Sequence, residues 1–218
     1  MKQNKQSIHY FALGDSLTRG LGAPPNQGFV EQYHALIVQH LNQPISCYNA
    51  GNNGDTIQQI LLRLRHHAEL QHQLRNAHLM TITAGGNDML QAAKRFLFVR
   101  DPQILKTALK QCQAHYKQLL ETVNKVRKHK EPLAIRIFGL YNPFPHIEEA
   151  EFWVRHFNKM IDALAVGKIQ AIHVYDAFRN NIDRFLCDDH VHPNAAGYQA
   201  MAEAVAAISF KGIPPAGL

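Results

Sequence analysis

No stretch of this chain approaches the ~18 consecutive apolar residues that a membrane-crossing helix requires. Cysteine is scarce: Cys47, Cys112 and Cys187 stand apart, with no CxxC pair. That excludes a disulfide scaffold and fits a reducing compartment. Cys47 and Cys112 fall on apolar patterns and read as core residues. Charged residues make up only 18% of the chain against 46% hydrophobic, the balance of a globular protein and not of a disordered one. There is no internal repeat, no low-complexity tract and no linker able to divide the 218 residues, so one domain over 1–218 is expected. Residues 210–218, with Pro214-Pro215, read as an extended tail.

Concentrated charge is also missing. The net charge is +6, but the basic residues are dispersed. The densest group, Arg127-Lys128-His129-Lys130, closes a predicted helix, where solvated cations complement the dipole. Nucleic acid is therefore not an expected partner. The apolar stretch 8–13 is too short and too mixed for a secretory signal, and cytoplasmic residence is the expectation.

What is present is alternation. Apolar runs at 8–13, 46–49, 79–84, 133–138 and 171–175 read as five short buried strands. Between them lie helical stripes, one through Val30, Tyr33, Ile37, Val38 and Leu41 and one through Ile57, Ile60, Leu61 and Leu64. The longest helix is expected over 102–128, with Asp101 as N-cap and Pro102 at the first position. Further helices are expected over 148–164 and 195–208. Such alternation predicts a parallel sheet with helices on both faces, an α/β/α sandwich whose strand C-termini share one ligand-binding edge.

Four segments carry chemistry to that edge. Gly14-Asp15-Ser16-Leu17 sets a serine in the turn after strand one, where a histidine can reach it, and Gly14 allows the bend. Near the other end, Asp188-Asp189-His190-Val191-His192-Pro193 offers a base and an acid to orient it. His192 with Asp189 is preferred because Pro193 and Asn194 set His192 at a helix start; His190 and Asp188 are the rivals. The same acids and histidines are also possible metal ligands, although no matching cluster occurs elsewhere. Asn49-Ala50-Gly51 and Gly85-Gly86-Asn87-Asp88 supply candidate oxyanion donors, Gly51 through its backbone N–H and Asn87 through its amide, beside the Ser16 N–H. Each is also an ordinary turn sequence; their order, each at its own strand end, argues for a site.

These four blocks, spread from Ile8 to about Ile208, resemble the SGNH or GDSL hydrolases. The resemblance implies Ser16 as nucleophile, Asp189 and His192 as its triad partners, and Ser16, Gly51 and Asn87 as the oxyanion hole. It also implies a flavodoxin-like sheet of five parallel strands and no metal or cofactor. Gly139-Leu140-Tyr141-Asn142-Pro143-Phe144 further resembles a Bacillus-type branch that includes a spore-germination lipase, and by that likeness alone a spore address is conceivable.

The reaction class implied is acyl-ester hydrolysis, on a small-molecule or lipid ester. Segments 89–99 and 141–157, read as loops after strands three and four, carry Phe96, Leu97, Phe98, Phe152 and Phe157. The acyl pocket is expected from Met89, Leu90, Tyr141, Phe144 and Trp153 of the same segments. Such apolar walls favour short to medium acyl chains or phospholipid, with transient contact to a lipid surface. The rivals are a carbohydrate O-acetylesterase, with a smaller polar pocket, and a non-catalytic binding or coat-associated protein with the same fold.

Overall fold

In the computed structural model, described over residues 8–128 and 133–208, a sheet of five parallel strands carries the chain. The strands are β1 (Ile8–Gly14), β2 (Ile45–Gly51), β3 (Leu79–Thr83), β4 (Ala134–Phe138) and β5 (Ile169–Ile172), in the spatial order β2-β1-β3-β4-β5. All pairings are parallel; Gly14 stands opposite Gly51 on one side and Thr83 on the other. The ends of the three strands that lead into the first three motifs therefore lie side by side. The order reverses at β1, and the crevice outside the strand C-termini at such a switch is where ligands bind.

Side chains alternate across the central strands with period two. Phe11 and Leu13 of β1 enter one core cluster, Ile8, Tyr10 and Ala12 the other. The first cluster is closed by α3 (Ile57–His66), α4 (Ala68–Asn76), α5 (Gly86–Val99), α6 (Gln103–Val126) and α7 (Glu148–Leu164). The second is closed by α2 (Phe29–Leu41), α8 (Tyr175–Arg179) and α10 (Ala195–Ala206). Short α1 (Ser16–Arg19) and α9 (Ile182–Phe185) sit in connections. This is a three-layer α/β/α sandwich with a flavodoxin-like strand order. Each fully buried large apolar side chain, such as Leu119 of α6 or Phe157 of α7, contributes roughly 1.5–3 kcal/mol by leaving water.

Several expectations are corrected. Segment 89–99 is not a loop but most of α5: Met89, Ala92, Ala93 and Phe96 face the first core cluster at helical spacing. Of segment 141–157, the part from Glu148 onward is the start of α7, with Phe157 buried in the core. The fifth strand ends at Ile172, and Tyr175 opens α8, because Val174 and Phe178 join the second core cluster at helical spacing. The Asp101 carboxylate accepts the Gln103 N–H at 2.9 Å, so it caps α6, while Pro102 lies just before the helix. Cys47 is exposed on the edge strand β2, whereas Cys112 is buried. Arg127 is buried too, not solvated: its guanidinium donates to the carbonyls of Leu74 and Arg75 at the end of α4, satisfying acceptors a helix terminus leaves open. The tail at 210–218 lies outside the described residues, as do His129 and Lys130.

Candidate active site

Ser16 opens α1 directly after β1. Asp15 precedes it as N-cap, its carboxylate accepting the Leu17 N–H at 3.0 Å and the Thr83 hydroxyl at 2.8 Å. Gly14 is needed less for a bend than for a close approach: a Cβ there would lie 2.4 Å from the hydroxyls of Thr18 and Thr83.

Burial pushes the Asp15 carboxyl up to about 6 from 3.8, against the pull of its Thr83 and Leu17 hydrogen bonds. Because the folded value is the raised one, the native state holds this proton to higher pH than the unfolded chain. The stabilisation is complete below the unfolded pKa and lost as pH rises through the folded one. The loss amounts to roughly 3 kcal/mol by about pH 7. Asp15→Asn keeps an acceptor and removes the titration. Urea unfolding across this range is expected to show the variant gaining on the wild type as pH rises; parallel curves would refute the assignment.

The base segment is held from both sides. Leu186 and Pro193 form an antiparallel bridge, and the Cys187 N–H donates to the His192 carbonyl at 2.8 Å. Asn194 caps α10 through the N–H groups of Ala196 and Gly197, while its amide donates to the carbonyls of Arg184 and Leu186. Tyr141 stacks on Phe178 with ring centroids 4.2 Å apart and donates its hydroxyl to the Val191 carbonyl at 2.5 Å. Held this way, His192 Nε2 lies 2.9 Å from Ser16 Oγ, and its Nδ1 lies 2.5 Å from Asp189 Oδ2. The other carboxylate oxygen of Asp189 accepts the N–H groups of Val191 and His192, each at 2.8 Å.

Desolvation works against the charge on Asp189. The His192 N–H, the imidazole, the Val191 N–H and the Cys187 thiol outweigh it and hold the carboxyl well below its usual range. A permanently ionised acceptor at Nδ1 keeps the proton there and leaves Nε2 to accept from the serine hydroxyl. Of the two histidines weighed from the sequence, His192 is the one turned to Ser16. His190 sits in the left-handed region at φ 56° and is exposed, as is Asp188. Among the described residues, no group of three or more His, Cys, Asp or Glu side chains converges to hold a metal ion.

The oxyanion candidates separate. The Gly51 N–H is engaged: it donates to Asn49 Oδ1 at 2.9 Å, and a Cβ on Gly51 would lie 2.3 Å from the Arg19 backbone nitrogen. Gly51 is thus a close-packing residue at the end of β2, with no N–H to spare for a developing oxyanion. Three residues on, Gly54 has φ +80° with open space around its missing side chain, and its N–H has no partner among the described residues. The Asn87 amide donates to the Asp55 carbonyl at 2.9 Å and so lies against that same turn. Beneath it, Asp55 pairs with Arg63 at 2.6 Å, and Arg63 also donates to the carbonyls of Gly14 and Ala50. The Asp88 carboxylate accepts the Ile57 N–H at 3.0 Å and fastens α3. The sequence signal for Gly54 was the Gly-Asp-Thr run followed by a helical stripe, which is a turn feeding a capped helix.

The residues expected to line an acyl pocket divide as well. Met89 is buried in the core, and Leu90 is half-buried on α5. Tyr141 is buried beneath the histidine loop, and Trp153 packs beside the first core cluster against Phe152. Phe144 lines an open groove. That groove, of about 540 Å³, runs beside the histidine loop between Phe144, Ile147, Ile182, Leu186, Cys187 and His190.

A serine, an imidazole and a carboxylate in hydrogen-bond series at the C-terminal edge of a parallel sheet define a serine ester hydrolase. The chain belongs to the GDSL-like lipase/acylhydrolase family, which it matches over residues 12–200. It is 33% identical to the spore germination lipase LipC of Bacillus licheniformis over 94% of this chain and 97% of that protein. Among solved structures it resembles the lipase Lip_vut3 from a goat rumen metagenome, with a TM-score of 0.88 and 34% identity over 92% of this chain and 97% of that one. An acetylxylan esterase, Axe2 of Geobacillus stearothermophilus, shares the fold at TM-score 0.69 and 18% identity, covering 98% of this chain and 99% of that one. No described helix is long and apolar enough to cross a membrane.

Proposed function

We propose that the protein cleaves carboxylic esters of short to medium acyl chains, including lipid esters, through an acyl-enzyme on Ser16. The observation that carries the reading is the unbroken series Ser16 Oγ, His192 Nε2, His192 Nδ1, Asp189 Oδ2. His192 takes the Ser16 proton as Oγ attacks the acyl carbon, and the imidazolium is stabilised by Asp189. The oxyanion is met by the N–H groups of Ser16 and Gly54 and by the Asn87 amide; Gly54 replaces Gly51 here because its N–H is free. Collapse breaks the ester bond, and His192 returns the proton to the leaving alcohol. Water, deprotonated by the same imidazole, then releases the acid and restores Ser16.

The groove walled by Phe144, Ile147, Ile182 and Leu186 offers the acyl chain an apolar seat next to the histidine loop. Its size supports a chain longer than acetyl. A second reading, deacetylation of a carbohydrate, draws support from a polar groove of about 690 Å³ on the side of Thr56 and Asp88, where Gln59, Gln91 and Gln111 line the wall. Hydrolysis of p-nitrophenyl acetate, butyrate, octanoate and palmitate, beside an acetylated xylooligosaccharide, decides between them. We expect kcat/KM to peak at butyrate or octanoate. Equal rates on acetyl and octanoyl esters, or a preference for the acetylated sugar, would remove the acyl-groove assignment.

A further inference from the structure

The helical hairpin α5–α6 stands above the catalytic edge. The Tyr116 hydroxyl donates to the Ala84 carbonyl at 3.1 Å, which pins α6 at the C-terminal end of β3. Arg127, on the carbonyls of Leu74 and Arg75, pins the other end just before β3 begins. The helix between these pins measures about 16 Å, the length of the strand beside it. Residues 103–115 of α6 therefore extend up to about 20 Å past the sheet on the side of Ser16. From Gly86 at the same edge, α5 runs back along them, Met89 and Ala92 sharing a core cluster with Leu105 and Cys112.

At the tip of this hairpin three consecutive apolar side chains face solvent: Leu97 is 53% exposed, Phe98 90% and Val99 63%. Cations surround them. Lys94, Arg95 and Arg100 flank the triplet and are exposed, and the exposed Lys106 follows in the first turns of α6. Between Asp88 and Glu121 the only acid is Asp101, whose carboxylate is occupied in capping α6. A contiguous apolar projection collared by cations is matched by an anionic phospholipid surface, where apolar side chains enter the acyl boundary and cations meet phosphates. A protein partner would cover the tip but would not require the cationic collar.

We propose that the α5–α6 tip is an interfacial anchor. Leu97, Phe98 and Val99 insert into an anionic phospholipid bilayer, Lys94, Arg95 and Arg100 engage its phosphates, and the catalytic edge is thereby held at the lipid surface. Only the use made of this docking rests on the lipid-ester reading above; the docking itself can be measured without it.

The test uses the full chain carrying Ser16→Ala, so that vesicles stay intact, in flotation with liposomes. Binding is expected to vesicles of equal parts phosphatidylcholine and phosphatidylglycerol but not to phosphatidylcholine alone. It should weaken with added salt, as a polybasic collar requires. Phe98→Asp and the pair Arg95→Glu with Arg100→Glu are expected to abolish it. Phe98→Trp should retain it and add a blue-shifted emission on vesicles above that of Trp153. With Ser16 restored, the Phe98→Asp enzyme should hydrolyse p-nitrophenyl butyrate within about twofold of wild type, as expected for an exposed site away from the chemistry. The anchor is overturned if the parent fails to float with anionic vesicles or if Phe98→Asp floats like the parent. It is equally overturned if the parent is a dimer in solution that Phe98→Asp dissociates, which would make the tip a subunit interface. Loss of butyrate hydrolysis in the wild type would instead count against the functional reading, with flotation unaffected.

Discussion

Ser16→Ala is expected to lower kcat on p-nitrophenyl butyrate by at least about 10³-fold, and His192→Ala by a similar factor, with little change in KM. The two act as one unit: without Nε2 the hydroxyl keeps its proton, and without the hydroxyl the imidazole has no nucleophile to activate. The double variant should therefore be scarcely worse than either single one. Asp189→Asn removes the ionised acceptor that fixes the tautomer and is expected to cost less than loss of Ser16, in the same direction. Covalent labelling by a fluorophosphonate gives an independent reading and should vanish in Ser16→Ala alone among these, because His192→Ala merely slows it. The expectation fails if Ser16→Ala retains more than about a tenth of the wild-type rate, a residue of activity the serine mechanism does not allow.

Asn87→Ala carries the second-largest expected effect, a fall in kcat of about 10²–10³-fold, as for loss of one oxyanion donor. The amide also donates to the Asp55 carbonyl, so a stability loss near 1 kcal/mol is expected beside the rate effect. A purely structural Asn87 would show that stability loss alone, with kcat within about tenfold, and that outcome would sink the oxyanion role. Gly51→Ala provides the contrast. Its Cβ would meet the Arg19 backbone nitrogen at 2.3 Å, so its primary effect is on folding, read as a lower melting temperature and poor yield. Arg63 ties the Gly54 turn to the ends of β1 and β2 through Asp55, Gly14 and Ala50. That tie holds the turn at Gly54 against the ends of β1 and β2.

How much of this was legible beforehand differs from residue to residue. The three central strands β1, β3 and β4 and the long helix were readable because their signals are local: runs of buried residues, a stripe at Leu105, Cys112, Tyr116, Leu119 and Val123, and Asp101 ahead of Pro102. The helix α5 was not, because its aromatic C-terminal end reads as pocket lining and its small core-facing residues, Ala92 and Ala93, give a weak stripe. The strand β5 was misplaced by a few residues because Val174 and Tyr175 are equally apolar in a strand or in a helix packed on the core. Gly51 and Gly54 lie three residues apart in one turn-rich run; the Gly-Asp-Thr signal at Gly54 is weak beside that run, and the hydrogen bond from the Gly51 N–H to Asn49 with the open surroundings of Gly54 tells them apart.

By itself the sequence determined the alternating α/β class and the chemistry of the reaction. Both are written in side-chain type and spacing: a serine after a strand, an acid and a histidine in one short loop, and an amide after a third strand. Tertiary structure brings His192, which the sequence already favoured over His190, to Ser16 across 176 positions of sequence. It also decided that the Gly51 N–H is engaged while the Gly54 N–H has no partner among the described residues, that Tyr141 supports the histidine loop from below, and that Phe98 faces solvent. Each of those outcomes depends on which distant partner satisfies a donor or buries an apolar face. That competition is settled only when all the elements have packed.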